Sequence, residues 1–514
     1  MDSSKDKVEY GMEEFPPGRD QANQQPDDFG EQATGYEKLG IIGTIRTFKK
    51  ATLICFLMTF AAATDGYQIG MNGNVVANAG FVDRFGTETN AAGKKILAAS
   101  VLSAISAIQS VGQIIGMTTL PFLSARFGRK AAMYTLWLLL VFSVICETVA
   151  RQWPVWFVAK LFSGIGVGSL QITSPVYVTE VAPIKIRGML LLSYNFWFVV
   201  GAFMATVALQ SMYATHPDNY LTPVYTQWAQ IGIMGIIYLL VPESPYWCAT
   251  RGKHEQGIKT LAKINGSVSG YNVEEQYEIM REKWYNIFRG VDGFRTLVSM
   301  WAITAQQFLG LKVFFTYTAY FFSIAGLQDP FQASVITSAI QIVAILVAVL
   351  LADRFGRRLI CCGGLTTMFL TDVAVGILGF TKAKESSRQL AGGQFAGSAG
   401  WGYVGEMSSQ RLRPYTAGFA AATSCVVGVV MDVLVPYMLN TNQWNWGLKT
   451  CWFYAGAGLP AVIVAWLIIP ETAGRSAAEL DELFERKIKP WRFHKTTTAL
   501  QRAVTEDNTA SSDQ

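Results

Sequence analysis

Few side chains in this 514-residue chain can do chemistry, because Asp, Glu, Lys and Arg make up only 15% of it and hydrophobic residues 51%. An ordinary soluble chain carries roughly 25% charge. The polar groups of interest therefore stand out inside apolar runs: Asp65, Lys312, Asp372 and Asp432 as charges, Asn195, Gln306 and Gln307 as amides. An amide offers both donors and acceptors without burying charge. A lysine at the depth of Lys312, ~15 Å from either edge of a 30 Å hydrocarbon core, costs about 2.5–3.5 kcal/mol and faces a cavity or a partner. Asp372, Asp432 and a substrate anion are its candidate partners. Other chemistry lacks material: there are three histidines, seven scattered cysteines without zinc spacing, and no phosphate-binding glycine loop. No catalytic, metal or cofactor site is expected, and the net charge of +5 follows from basic loops without a nucleic-acid partner.

The elements that carry these residues are apolar runs of about 18 to 25 residues, the length of a membrane-crossing helix. They predict an all-α membrane protein with spans at 50–71, 96–118, 131–150, 154–178, 188–212, 224–242, 297–325, 331–352, 359–380, 389–406, 415–439 and 450–469. The tenth is short and glycine-rich, but parity between basic loops requires it. Residues 1–49 read as a disordered tail, 243–296 as a polar linker between two six-helix bundles, 50–242 and 297–470, and 471–514 as a second tail. Arg126, Arg129 and Lys130, then Lys185 and Arg187, then Arg354, Arg357 and Arg358, then Arg411 and Arg413 fall in loops on one side. That bias places both tails and the linker in the cytoplasm. The glycosylation pattern Asn265-Gly266-Ser267 then lies on the wrong side to be used.

Three motifs recur about 226–228 residues downstream, in the same order. Arg126-Phe127-Gly128-Arg129 returns as Arg354-Phe355-Gly356-Arg357; Tyr177, Glu180 and Arg187 return as Tyr403, Glu406 and Arg413; Pro242-Glu243-Ser244 returns as Pro470-Glu471-Thr472. Two homologous six-span halves follow, an arrangement suited to alternating access around a midplane site.

These motifs, with Gly66-Tyr67, Gly164, Gly166 and Gly168 ahead of Pro175, Gln306-Gln307 and Gly310, and Gly474-Arg475, resemble the sugar porters of the major facilitator superfamily. The likeness covers roughly residues 50–488. Pro436 to Asn440 and Trp444-Asn445-Trp446 resemble the fungal maltose and alpha-glucoside permease branch. The resemblance implies that Gln306, Gln307 and Asn195 hydrogen-bond sugar hydroxyls; Gln68, Lys312 and Tyr317 are further substrate-binding candidates. Trp197, Phe314 and Phe315 are further stacking candidates. It also implies gating by ion pairs between bundles at the cytoplasmic ends, drawn from Arg126, Arg129, Glu180, Arg187, Glu243, Asp353, Arg354, Arg357, Glu406, Arg413 and Glu471.

Three departures stand out. Gln68 occupies the position where proton-coupled relatives carry an aspartate, and it cannot titrate. Asp65, three residues earlier on nearly the same face, is a substitute proton carrier or a charge reaching interfacial water. Lys312 stands where relatives most often have asparagine or another small polar residue, and the family's Gly-Pro on helix 10 becomes Gly397-Ser398. The expected protein is a monomeric, multi-pass carrier in the plasma membrane, among lipid. It moves a sugar, polyol or sugar-like molecule, acidic ones included, with or without protons. An exporter of a secondary metabolite and a non-transporting nutrient sensor are the rival readings.

Overall fold

In a computed structural model, the described residues are 41–89, 93, 95–265, 290–324, 329–378, 413–440, 442–471 and parts of 482–496. The tail 1–40, the tenth span 389–406 with Tyr403 and Glu406, most of 471–514, and Gly266 and Ser267 lie outside them. So do the side chains of Asp353, Arg354, Arg357 and Arg413.

The described residues are helical, with one two-residue pair of strands among them, β1 (Glu88–Thr89) and antiparallel β2 (Lys95–Ile96), in the loop after the first span. Short helix α1 (Ile41–Thr47) lies inside the segment expected to be a disordered tail, where Thr44 and Phe48 are buried. The first span follows as α2 (Lys49–Phe60) and α3 (Ala62–Asn74), then α4 (Ala79–Phe85) in the loop. The first half continues with α5 (Ala99–Phe127), α6 (Arg129–Val149), α7 (Trp153–Val181), α8 (Ile184–Thr215) and α9 (Leu221–Leu240). The linker holds α10 (Pro245–Thr250) and α11 (His254–Asn265). In the second half α12 (Gly290–Gln307), a π-turn at Lys312–Thr316 and α13 (Thr318–Ile324) form one span. It is followed by α14 (Pro330–Phe355), α15 (Arg357–Leu378), α16 (Arg413–Leu439) and α17 (Thr450–Ile468).

Eleven crossings are thus present among the described residues, and eight of the helices are long and apolar enough to span a membrane on length and composition alone. The other three have physical reasons to fall short. α9 carries Gln227 and Gln230 on its buried face. The first span breaks at Ala61, and the seventh breaks after Gln307, where Gly310 has φ +78°. The seventh span is the more strongly broken, and such discontinuous helices mark where transporter sites are built, since unwound backbone is tolerated only where it is shielded or lines a cavity. Side chains such as Leu138, Phe142, Leu240, Leu370 and Val430 point outward, as lipid contact requires.

The two halves share a local device. Gly128, between α5 and α6, has φ +112°, and a Cβ there would lie 2.3 Å from a Glu243 carboxylate oxygen. Gly356, between α14 and α15, has φ +83°, and its Cβ would lie 2.4 Å from Glu471. Glu243 accepts from the backbone N–H of Arg129 at 2.8 Å, and Glu471 from that of Arg358 at 3.4 Å. Each glutamate therefore satisfies orphan N–H groups and the positive end of the helix dipole at the start of the third helix of its half. Below, the face bearing these loops is the basic face, and the opposite one the far face.

Candidate functional site

The break in the seventh span sets the central cluster. The π-turn carries Lys312, whose Nζ lies 3.0 Å from Asp432 Oδ2 on α16 and 3.2 Å from Ser110 Oγ on α5. Ser110 also donates to the same carboxylate oxygen. The ion pair lies within the second half, and Ser110 of the first half ties it across the seam. Of the partners expected for Lys312 it selects Asp432; the charge is neutralised inside the protein.

Gly428 lies one helical turn before Asp432. A Cβ there would come within 3.3 Å of Lys312 Cε and 3.7 Å of Gln307 Nε2, so both side chains converge on the space a glycine leaves. Gln307 Nε2 donates to Ser424 Oγ at 3.2 Å. On the elements that meet here several buried polar atoms lack a hydrogen-bond partner: Oε1 of Gln306, Oε1 of Gln307, Oδ1 of Asp432 and Nε2 of Gln109. Leaving such groups unmet costs about 1–3 kcal/mol each. The three acceptors belong to the second half, and the donor, Gln109 Nε2, to α5 of the first.

The aromatic candidates divide. Phe315 stacks on Phe198 of α8 across the seam, with centroids 5.3 Å apart and planes at 13°. Trp197 packs edge-on against Phe60, Phe314 against Phe321, and Tyr317 is fully buried near Tyr320. Asn195 is buried on α8.

Asp65 does not reach interfacial water. It is fully buried on α3, accepting from Gln171 Nε2 of α7 at 3.1 Å and from the Tyr194 hydroxyl of α8 at 2.9 Å. Gln68 is also enclosed: its Nε2 donates to Gln227 Oε1 of α9, and its Oε1 accepts from Ser163 Oγ of α7 at 3.0 Å. Both ends of that amide are therefore engaged within the first half.

Sequence reasoning missed one buried pair. Lys160 Nζ of α7 lies 2.9 Å from Glu147 Oε1 of α6, and both side chains are 0% exposed. The signal was present, since each charge falls inside an apolar run, as Lys312 does.

At the basic face one of the expected ion pairs joins two helices of the first half. Arg129 Nη2 lies 2.5 Å from Glu180 Oε1, joining the start of α6 to the end of α7, which are packed neighbours. Arg187 donates to the Ala182 carbonyl at 3.3 Å, and Arg126 is exposed, over the Phe127 ring.

A fold of two helical halves, a polar seam with a buried ion pair and a lipid-facing exterior define a multi-pass membrane transporter rather than an enzyme. The chain matches the family of sugar (and other) transporters over residues 54–484, and belongs to it. It is 27% identical over 471 residues to the MFS transporter fmqE of Aspergillus fumigatus, covering 86% of this chain and 88% of that one. It is 26% identical over 503 residues to the general alpha-glucoside permease of Saccharomyces cerevisiae, covering 91% and 81%. Among solved structures, the xylose transporter XylE from E. coli in its inward open conformation aligns with a TM-score of 0.67 at 22% identity, over 84% of this chain and 99% of that one. These matches establish the major facilitator fold and the sugar-porter likeness.

Proposed function

We propose that this protein carries an uncharged polyhydroxylated molecule, a sugar or polyol, across the plasma membrane by alternating access, with both termini in the cytoplasm. The observation that carries this reading is the set of unpaired buried acceptors on Gln306, Gln307 and Asp432 around an already neutralised lysine. Hydroxyl donors meet such acceptors; a carboxylate substrate would meet an acceptor-rich surface with no free positive charge. Lys312 therefore supports a neutral substrate, and the acidic alternative loses its main support. The named relatives, an alpha-glucoside permease and a xylose transporter, handle neutral sugars by their names.

Hydrogen bonds between described residues join the halves from the far face down to Ser110, Gln113 and Cys425 near mid-depth. With the basic face in the cytoplasm, this favours a state closed to the outside. Uptake of labelled sugars, polyols and organic acids in cells lacking their own carriers tests the reading. Saturable uptake of neutral polyhydroxylated compounds is expected. Lys312→Asn should lower it about tenfold, equivalent to ~1.4 kcal/mol, because Asp432 is left unpaired. The double change Lys312→Asn and Asp432→Asn should restore part of it. Uptake confined to organic acids would overturn the proposal.

A further inference from the structure

The Glu147–Lys160 pair is isolated from the seam cluster and tied instead to Gln68, the non-titrating residue at the family's proton position. Glu147 Oε1 takes the Lys160 ammonium at 2.9 Å and Ser143 Oγ at 3.3 Å. Its other oxygen, Oε2, accepts from Gln227 Nε2 at 3.1 Å. Gln227 Oε1 in turn accepts from Gln68 Nε2, and Gln68 Oε1 accepts from Ser163 Oγ. Four helices, α6, α7, α9 and α3, thus share one chain of polar contacts, and all of its members are buried. Lys160 also stands 4.9 Å from the Trp156 ring, which holds it from its other side.

Resting on the transport reading above, we infer that Glu147 is the proton-binding carboxylate of this carrier. Its protonation is relayed to Gln68 on the first span by reversal of two amides.

The relay follows from the donor and acceptor inventory. An ionised Glu147 accepts at both oxygens, so Gln227 must offer its NH₂ to Oε2 and its carbonyl to Gln68. Oε1 stays with Lys160, so an added proton goes to Oε2, which becomes a donor. Gln227 then has to turn its carbonyl toward Glu147 and its NH₂ toward Gln68. Gln68 answers by presenting its carbonyl to Gln227 and its NH₂ to the Ser163 oxygen. One proton thus inverts the polarity of a side chain on the broken first span, next to the helix that meets the seventh span, with no titrating group at position 68.

Hydration selects when the proton binds. In the state seen here the pair is dry and carries no net charge, and protonating Glu147 would leave Lys160 uncompensated, at a cost of several kcal/mol. Opening the far face admits water near the ends of α6 and α7 and lowers that cost. Proton uptake is therefore linked to the far-open state. The other titratable groups facing Glu147 are Tyr67 of α3, whose hydroxyl donates to the Pro223 carbonyl at 2.8 Å, and Cys146 on its own helix. Neither is cationic, so Lys160 is the charge that governs Glu147.

The test uses purified full-length protein and a readout independent of substrate. Infrared difference spectra between about pH 5 and 8 should show a protonated buried carboxyl growing as pH falls. That band should be absent from Glu147→Gln and retained in Asp65→Asn and Asp432→Asn. If Glu147→Gln does not fold, the double change Glu147→Gln and Lys160→Gln, which leaves no unpaired charge, gives the same reading. In proteoliposomes, accumulation of D-[14C]glucose driven by an acid exterior should drop at least about tenfold in Glu147→Gln, ~1.4 kcal/mol, while exchange at equal pH persists. Glu147→Asp should recover much of the accumulation. A titrating band untouched by the change at Glu147, or equal loss of accumulation and exchange, would overturn the inference. A wild-type protein that carries no glucose would count against the substrate reading, and the infrared result would still decide the proton site.

Discussion

At Asp432, one carboxylate does two jobs: it neutralises Lys312 and holds Ser110 of the opposite half. Removing one partner of a buried pair leaves an uncompensated charge, worth about 3–5 kcal/mol. Asp432→Asn should therefore lower the thermal unfolding temperature of the purified protein in detergent markedly, and Lys312→Gln in the same chain should recover most of the loss. Equal destabilisation in single and double variants would show that the pair is not what matters there. The need of Lys312 for a partner was legible in the sequence, because charge in the middle of an apolar run has to be met. The choice of Asp432 over Asp372 was not, since it depends on how α16 packs on the π-turn; Asp372 has both carboxyl oxygens without a hydrogen-bond partner. Glu147 was missed, and Asp65 was left open between two readings, for a related reason. Asp65 looked near a helix end and Glu147 lies two residues before Val149, where water is the default partner, yet neighbouring helices cover both completely.

Among the elements, the broken first and seventh spans touch backbone to backbone. A Cβ on Gly73 of α3 would lie 1.8 Å from the Thr316 carbonyl of the π-turn. Gly73→Ala must push the two spans apart and so disfavour this conformation. A cysteine placed at Ser103, on the far-face seam, should then react faster with a membrane-impermeant thiol reagent than in a Gly73 background. Unchanged reactivity would mean that the contact is not part of the closed seam. Neither break was visible in hydropathy, which reads 50–71 and 297–325 as continuous apolar runs. The repeated Arg-Phe-Gly-Arg and Pro-Glu motifs, by contrast, revealed the duplication, but assigned Glu243 and Glu471 to ion pairs between bundles, whereas the structure sets each against a positive-φ glycine and a helix N-terminus inside its own half. What they did not show is that Arg129 and Glu180 pair inside one half. As a clamp between α6 and α7 at the basic face, that pair bears on how the half moves rather than on substrate contact. Glu180→Gln should slow transport while equilibrium binding changes by no more than about threefold, ~0.65 kcal/mol. A binding loss as large as that of Gln307→Ala would contradict the assignment.

The whole molecule is held in its present state by a clasp on the far face, built largely from asparagines. Asn74 Oδ1 accepts from the Ala319 N–H at 2.8 Å, and Asn440 Nδ2 donates to the Leu97 carbonyl at 3.1 Å. Asn442 reaches Glu88 at 3.1 Å, and Ser103 donates to the Val433 carbonyl at 3.0 Å. Each bond joins the first half to the second, so each is lost when the far side opens, whereas the contacts inside a half survive. A hydrogen bond contributes about 0.5–1.5 kcal/mol net. Removing two of them should move the balance between the far-closed and far-open states by roughly 1–3 kcal/mol, or about five- to 150-fold. Asn74→Ala combined with Asn440→Ala is the cleanest choice, because both side chains are buried, lie outside the central cluster and bond to backbone of the other half. With spin labels at the exposed positions Asp218 and Gln443, the distance distribution in the double variant should gain a longer component in membranes. Each change also removes one bond within its own half, Asn74 Nδ2 to the Gly70 carbonyl and the Asn442 N–H to Asn440 Oδ1, so a stability loss of about 0.5–1.5 kcal/mol per half should accompany the shift. A distribution identical to that of the unaltered clasp would show that the contacts of Ser110 with Lys312 and Asp432 across the seam, and not the asparagines, keep the far side closed. In that case the longer component should appear instead in the Lys312→Gln and Asp432→Asn double variant.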